Sequence, residues 1–183
     1  MDSFVPAENV TSELPTTTNI YVVIYVSVVC TIIMPLGLFG NSLVLIVIIK
    51  QVSMQNITNF FIASLAISDM LILLLTVPTT VFFHLLTPFH GTAALCRFAA
   101  GFSILFPVYL SSWNLVAIAI DRCFIILNPL KRRMQKTTCF ILISLIWIMA
   151  AILPIPHITN LGLIQTNEGV YCNELDPKWV SSV

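Results

Sequence analysis

Four long apolar runs alternate with short polar stretches along this chain, at 20–49, 57–86, 93–127 and 138–158. Each exceeds the roughly 20 residues a helix needs to cross a bilayer core, and each is far too long for a strand. Backbone polar groups in hydrocarbon must be satisfied within their own segment, so the pattern predicts four membrane-spanning helices. Lys50 closes the first run, and a polar piece at 51–55 follows it. The second run carries a single charge, Asp69. Turn formers, Thr87, Pro88, Phe89, His90 and Gly91, separate it from the third run, which starts near Arg97 and ends at Asp121-Arg122. The fourth closes at Pro154 and Pro156, and the flanks at 1–19 and 159–183 read as a polar tail and a polar loop. Neither an internal repeat nor a low-complexity tract interrupts the pattern.

Composition argues against a water-soluble alternative. The chain is 58% hydrophobic and 9% charged, where soluble domains carry about 25% charged residues; its mean hydropathy is +0.99. The formal net charge of zero gives no electrostatic footprint for nucleic acid. Lys50, Arg122, Lys131, Arg132, Arg133 and Lys136 fall on one side of the predicted bundle, and only Arg97 and Lys178 on the other. That asymmetry makes the first side cytoplasmic and places the N-terminus outside, with the plasma membrane as the expected location. The tail lacks a basic start and an apolar core, so it is not a signal peptide, and the first helix is expected to direct its own insertion. The sequon Asn9-Val10-Thr11 is then expected to carry a glycan, whereas Asn56-Ile57-Thr58 lies inside and stays bare.

Few residues here carry chemistry. Asp69 sits mid-membrane, where an isolated ionisable group costs several kcal/mol unless it finds a partner or a cavity. Either it is a protonated carboxyl hydrogen-bonded to a neighbouring helix, or it belongs to an oxygen-lined cation and water site with Asn41 and Ser111 as companions. Asp121 and Arg122 are adjacent in sequence and so point to different faces. They act either as interfacial anchors or as an ion pair that breaks when a partner binds. Cys96 and Cys172 both fall on the oxidising side, so a disulfide between them is permitted. Cys30, Cys123 and Cys139 are expected as free thiols, with palmitoylation open to Cys123 and Cys139. Trp147, deep in the fourth run, is read as packing against a neighbouring helix. Pro35, Pro78, Pro107, Pro154 and Pro156 fall in apolar segments and each frees a backbone carbonyl. His84, His90 and His157 are scattered, the cysteines fit no zinc spacing, and neither a nucleophile motif nor a phosphate loop occurs, so the chain is not read as an enzyme.

Taken in order, these residues resemble the rhodopsin-like (class A) G-protein-coupled receptors. Gly40-Asn41-Ser42-Leu43-Val44 is similar to the family's first-helix signature, and Leu65-Ala66-Ile67-Ser68-Asp69 to its second. Asp121-Arg122-Cys123 resembles the Asp-Arg-Tyr motif, Asn128-Pro129-Leu130 the proline-containing inner loop, and Trp147 the fourth-helix tryptophan. The resemblance implies four helices of a seven-helix all-α bundle, a Cys96–Cys172 disulfide, and a sodium and water site at Asp69, Asn41 and Ser111. It further implies that Arg122 couples to a heterotrimeric G protein with Asp121 restraining it. Sodium is the one ion it suggests; no other metal or cofactor is expected. The ligand is expected between the outer halves of the helices.

Four departures stand out. The interval from Cys96 to Arg122 is one residue longer than usual, and a bulge around Pro107 is expected to absorb it, so ligand-binding residues are not assigned. Phe89 stands where the first outer loop often has Trp, and Cys123 replaces Tyr. The chain ends at Val183, where a fifth helix is expected to begin. Ser103-Ile104-Leu105 offers no acid for an amine ligand, while the stretches 119–122 and 128–134 look similar to the neuropeptide Y/F-like branch. Glu168, Glu174 and Asp176 either attract a basic peptide or form an ordinary solvated loop. Two rivals remain: a complete four-helix structural membrane protein, and a short receptor form that pairs with full-length receptors as a dimer and regulates them.

Overall fold

A computed structural model describes residues 5–6, 20–85, 91–128, 135–166 and 169–174. Asn9, Phe89, His90, Pro129, Leu130, Lys131, Arg132, Arg133, Glu168, Asp176 and Lys178 lie outside the described residues, so expectations attached to them meet no structural observation.

Four long apolar helices form the bundle: α1 (Val26–Lys50), α2 (Ile57–Val81), α3 (Ala93–Leu127) and α4 (Lys136–Thr159). Helical structure already begins at Ile20 before α1 and runs on to Leu85 after α2. These limits agree with the apolar runs to within about a turn, because the same property, continuous backbone satisfaction in a non-hydrogen-bonding solvent, sets both. Local chemistry marks the starts. Asn56 caps α2 by accepting from the backbone N–H of Asn59 at 2.9 Å, and Thr92 caps α3 by accepting from that of Leu95 at 3.3 Å. A turn at Leu153–Pro154 splits α4 into Lys136–Ile152 and Ile155–Thr159, as expected where a proline lacks its N–H.

The helices are inside-out relative to a soluble bundle. Between 6% and 22% of each span's most apolar window is buried, and Leu36, Phe39, Ile49, Leu115, Phe124 and Ile148 are exposed. Conversely, the bundle interior holds Thr58, Ser64, Ser68, Ser103, Asn114 and Asp121. With hydrocarbon outside, apolar burial does not pull the helices together; packing and polar contacts between them do.

Among the described residues, wide π turns interrupt the helices at Val29–Ile33, Ile72–Thr76 and Arg97–Phe102. Each lies shortly before a proline, Pro35, Pro78 or Pro107. A π turn holds one residue more than an α turn. The wide turn of α3 lies at Arg97–Phe102, about one turn before the bulge expected around Pro107, and Pro107 itself sits in regular helix. The carbonyl that Pro107 leaves without a helical donor is that of Ser103. Thr76, in the wide turn of α2, donates its hydroxyl to that carbonyl at 2.9 Å.

The loop expected as merely polar after α4 contains a hairpin, β2 (Leu161–Thr166) against β3 (Gly169–Glu174), antiparallel with Leu163 opposite Cys172. A short strand near the N-terminus, β1 (Val5–Pro6), pairs parallel with β2, which makes the sheet order β1-β2-β3. Leu161 and Leu163 pack with Cys96 under this sheet. The signal was present in the sequence, as two runs rich in Leu, Ile, Val and Tyr separated by Asn167-Glu168 and followed by Gly169. Its brevity beside the long apolar runs hid it.

Candidate functional site

Polar residues cluster at three levels of the bundle. At the hairpin end, Cys96 and Cys172 form a disulfide with Cα atoms 5.7 Å apart. Cys96 is fully buried, and Arg97 beside it donates from Nε to the carbonyl of Leu161 at 3.0 Å. Gly101 lets the hairpin and the end of α4 close onto α3: a Cβ there would meet Ile158 at 2.7 Å and Leu161 at 2.9 Å. The disulfide, the arginine and the glycine together hold the sheet over the top of α3.

At mid-depth, the Ser111 hydroxyl on α3 donates to Asp69 Oδ1 on α2 at 2.9 Å. Asp69 and Ser111 meet here; Asn41, grouped with them from the sequence, donates its amide N–H to the carbonyl of Gly37 in its own helix at 3.0 Å. One carboxylate and one hydroxyl are hard oxygen donors of the kind sodium accepts, and the serine oxygen keeps lone pairs after giving its proton to Asp69. Nearby, the Trp147 indole N–H donates to the Ser64 hydroxyl at 3.2 Å, and its ring meets Phe106 edge-on at 6.2 Å between centroids. Trp147 therefore does more than pack: it ties α4 to both α2 and α3. Asn114 is fully buried on α3, with its amide N–H donating to the carbonyl of Leu110 at 2.8 Å. Among the described residues, its Oδ1 has no donor.

At the opposite end, the Thr58 hydroxyl on α2 donates to Asp121 Oδ2 on α3 at 2.7 Å, between two buried side chains. Arg122 is exposed, and among the described residues no ion pair joins it to Asp121. The two neighbours do point to different faces, and Asp121 spends its carboxylate on Thr58. Cys139 of α4 lies fully buried beside them, its thiol directed at the carbonyl of Ile57 at 3.7 Å. The rings of Phe60 and Phe140 meet at a tilt of 47°, 5.0 Å between centroids, and join α2 to α4 there. Both polar members of the Asn56-Ile57-Thr58 sequon are engaged, one in the helix cap and one on Asp121.

Sequence reasoning missed Thr58, Ser64 and Thr76. The findable signal is spacing: Thr58, Phe61, Ser64 and Ser68 recur every three or four residues and are all buried, marking the face of α2 turned towards the bundle.

Comparison with known proteins agrees with this geometry. Residues 40–183 match the model of the seven-transmembrane receptor (rhodopsin family). The chain is 39% identical over 152 residues to the RYamide receptor of Tribolium castaneum, covering 82% of this chain and 41% of that protein. It is 37% identical over 146 residues to the cholecystokinin receptor of Xenopus laevis, covering 79% of this chain and 31% of that one. It is 37% identical over 162 residues to the neuropeptide Y receptor type 2 of Gallus gallus, covering 86% and 41% respectively. The chain thus spans about two fifths or less of the length of these relatives.

Proposed function

The chain belongs to the rhodopsin family of seven-transmembrane receptors, and on that footing we propose that the complete protein senses an extracellular neuropeptide and signals to a heterotrimeric G protein. It is a multi-pass membrane protein and a receptor rather than an enzyme. The observation that carries the ligand class is the set of relatives, named for RYamide, cholecystokinin and neuropeptide Y. Ser103-Ile104-Leu105, which lacks an acid for an amine, supports the same reading.

The roles follow from the three levels. The N-terminus and the hairpin face outside at the plasma membrane, and Asn9 is glycosylated. Asp69 and Ser111 would hold a sodium ion with water, and its positive charge would favour the inactive bundle. Arg122 meets the G protein at the inner end of α3. Because Thr58 engages Asp121, the guanidinium is presented without its neighbour's carboxylate. An agonist acts by favouring one of two bundle conformations, and the inner end reports that choice.

The experiment is expression of the full-length receptor in cells with a panel of RYamide-, neuropeptide Y- and cholecystokinin-type peptides, reading G-protein dissociation. At least one peptide gives a saturable response that Arg122→Ala abolishes at equal surface expression. Silence across the panel with a response to a small amine would overturn the reading. The sodium assignment predicts that millimolar sodium lowers agonist affinity and that Ser111→Ala blunts this effect.

A further inference from the structure

The wide turns of α2 and α3 meet across a hydrogen bond to which the receptor reading gives no role. Thr76 is the last residue of the wide turn Ile72–Thr76, and Ser103 is the first after the wide turn Arg97–Phe102. The Thr76 hydroxyl donates to the Ser103 carbonyl at 2.9 Å. Ser103 is 1% exposed, and Pro107 offers its carbonyl no N–H. Deeper in the bundle, Ser111 to Asp69 and Thr58 to Asp121 join the same two helices. Thr76 lies about two turns from Asp69 towards the hairpin, and Ser103 about two turns from Ser111. Among the described side-chain bonds between α2 and α3, Thr76 to Ser103 is therefore the one nearest the hairpin.

Thr76 has a second place for its proton. Thr31, Thr79, Ser112 and Ser144 each donate to the carbonyl four residues back in their own helix, the usual resort of a hydroxyl on a helix. For Thr76 that carbonyl is the one of Ile72, which accepts from the Val77 N–H and keeps a second lone pair. One rotamer step exchanges the bond between helices for a bond within α2. Thr76 is satisfied in either position, whereas the Ser103 carbonyl is satisfied only in the first. Leaving a buried carbonyl without a donor shifts an equilibrium by roughly ten- to hundredfold. The pair is thus a device with two positions of unequal energy, and the difference is small enough for a bound ligand to reverse.

We propose that Thr76 is a positioning residue whose hydroxyl latches the outer ends of α2 and α3 in the resting receptor, and that an agonist acts by parting them. The direction of signalling rests on the receptor reading; the latch itself does not. A ligand seated between the outer halves of the helices presses on the bond nearest the hairpin. Opening returns the Thr76 proton to α2 and leaves the Ser103 carbonyl without it. Any change that removes the advantage of the closed position favours the agonist-bound arrangement, whichever side of the bond is altered. Thr76→Val leaves the carbonyl without a donor in both positions, and Pro107→Ala gives it a helical N–H in both. The two substitutions act alike on signalling, although only the first orphans a buried acceptor.

Two measurements on the full-length receptor in nanodiscs test this, with Thr76→Val, Thr76→Ser, Pro107→Ala and the combination of Thr76→Val with Pro107→Ala. Thermal unfolding comes first, because it needs no ligand. Thr76→Val lowers the midpoint of the parent but leaves that of Pro107→Ala unchanged, and Thr76→Ser stays near the parent. Equal lowering in both backgrounds overturns the latch. In the second, the panel peptide that activates the receptor is titrated against each form. Thr76→Val and Pro107→Ala each raise its affinity about tenfold, the combination raises it no further, and Thr76→Ser leaves it unchanged. Opposite shifts from the two single substitutions, or unchanged affinity in both, overturn the positioning role. If no panel peptide activates any form, the neuropeptide reading fails, and thermal unfolding alone decides the latch.

Discussion

Thr58→Val replaces the hydroxyl that serves Asp121 with a methyl of nearly the same shape. The carboxylate then stays buried, since Asp121 is 8% exposed and Thr58 6%, and loses its donor at 2.7 Å. A hydrogen bond to a charged acceptor contributes about 1.5–3 kcal/mol, and an acceptor left unsatisfied incurs that loss in full. Cys139 is a built-in reporter, because its thiol is fully buried against the start of α2, directed at the carbonyl next to Thr58. It reacts only when this end of the bundle opens, so its alkylation rate follows the local opening equilibrium. At about 1.4 kcal/mol per decade, the loss predicts a roughly ten- to hundredfold faster reaction with a membrane-permeant maleimide. Cys30 and Cys123 are replaced by Ser for this assay, Cys123 because it is exposed. Thr58→Ser keeps the donor and removes one methyl, worth about 0.8 kcal/mol, so it should accelerate labelling only about fourfold. Rates for Thr58→Val within twofold of the parent, or equal acceleration by Ser and Val, would refute the assignment of Thr58 as the clasp on Asp121.

Trp147→Phe removes the indole donor to Ser64 but keeps an aromatic ring near Phe106. It should lower stability in detergent by about 1–3 kcal/mol, and combining it with Ser64→Ala should cost clearly less than the sum, as a thermal-unfolding double-mutant cycle would reveal. Gly101→Val places branched carbon where a Cβ alone already lies 2.7 Å from Ile158 and 2.9 Å from Leu161. It should cost about 1–3 kcal/mol and loosen the hairpin, seen as faster amide exchange across Leu161–Glu174, whereas unchanged exchange would mean that α3 and the sheet can part freely. Asn9→Gln should remove one glycan, read as a mobility shift that a glycosidase reproduces on the parent chain; a parent chain insensitive to the enzyme would count against an outward N-terminus.

Much of the architecture was legible because bilayer crossing is a one-dimensional problem. Length and apolarity alone delimit α1 to α4, since each helix satisfies its own backbone without a partner. Short ordered motifs likewise marked Asp69, Cys96, Cys172, Asp121, Arg122 and Trp147, and position suggested Ser111 as a companion of Asp69. The partners of those residues were less legible. Asn41 was grouped with Asp69 on position, and the bond its amide makes to the Gly37 carbonyl in its own helix was not foreseen. Asp121 was matched to Arg122 by the family resemblance, while adjacency already set the two on different faces; the donor that Asp121 meets is Thr58 on another helix.

The sequence by itself thus determined where the chain crosses the membrane and which family signatures it bears, because those properties reside in contiguous residues. Only the tertiary structure decided which side chains meet. It placed a wide turn in α3 at Arg97–Phe102, gave the carbonyl freed by Pro107 to Thr76, and laid Val5–Pro6 along a hairpin more than a hundred residues away. Each of these depends on the rotation and depth of one helix or strand against another, and those are set by close packing between segments rather than by the content of either one.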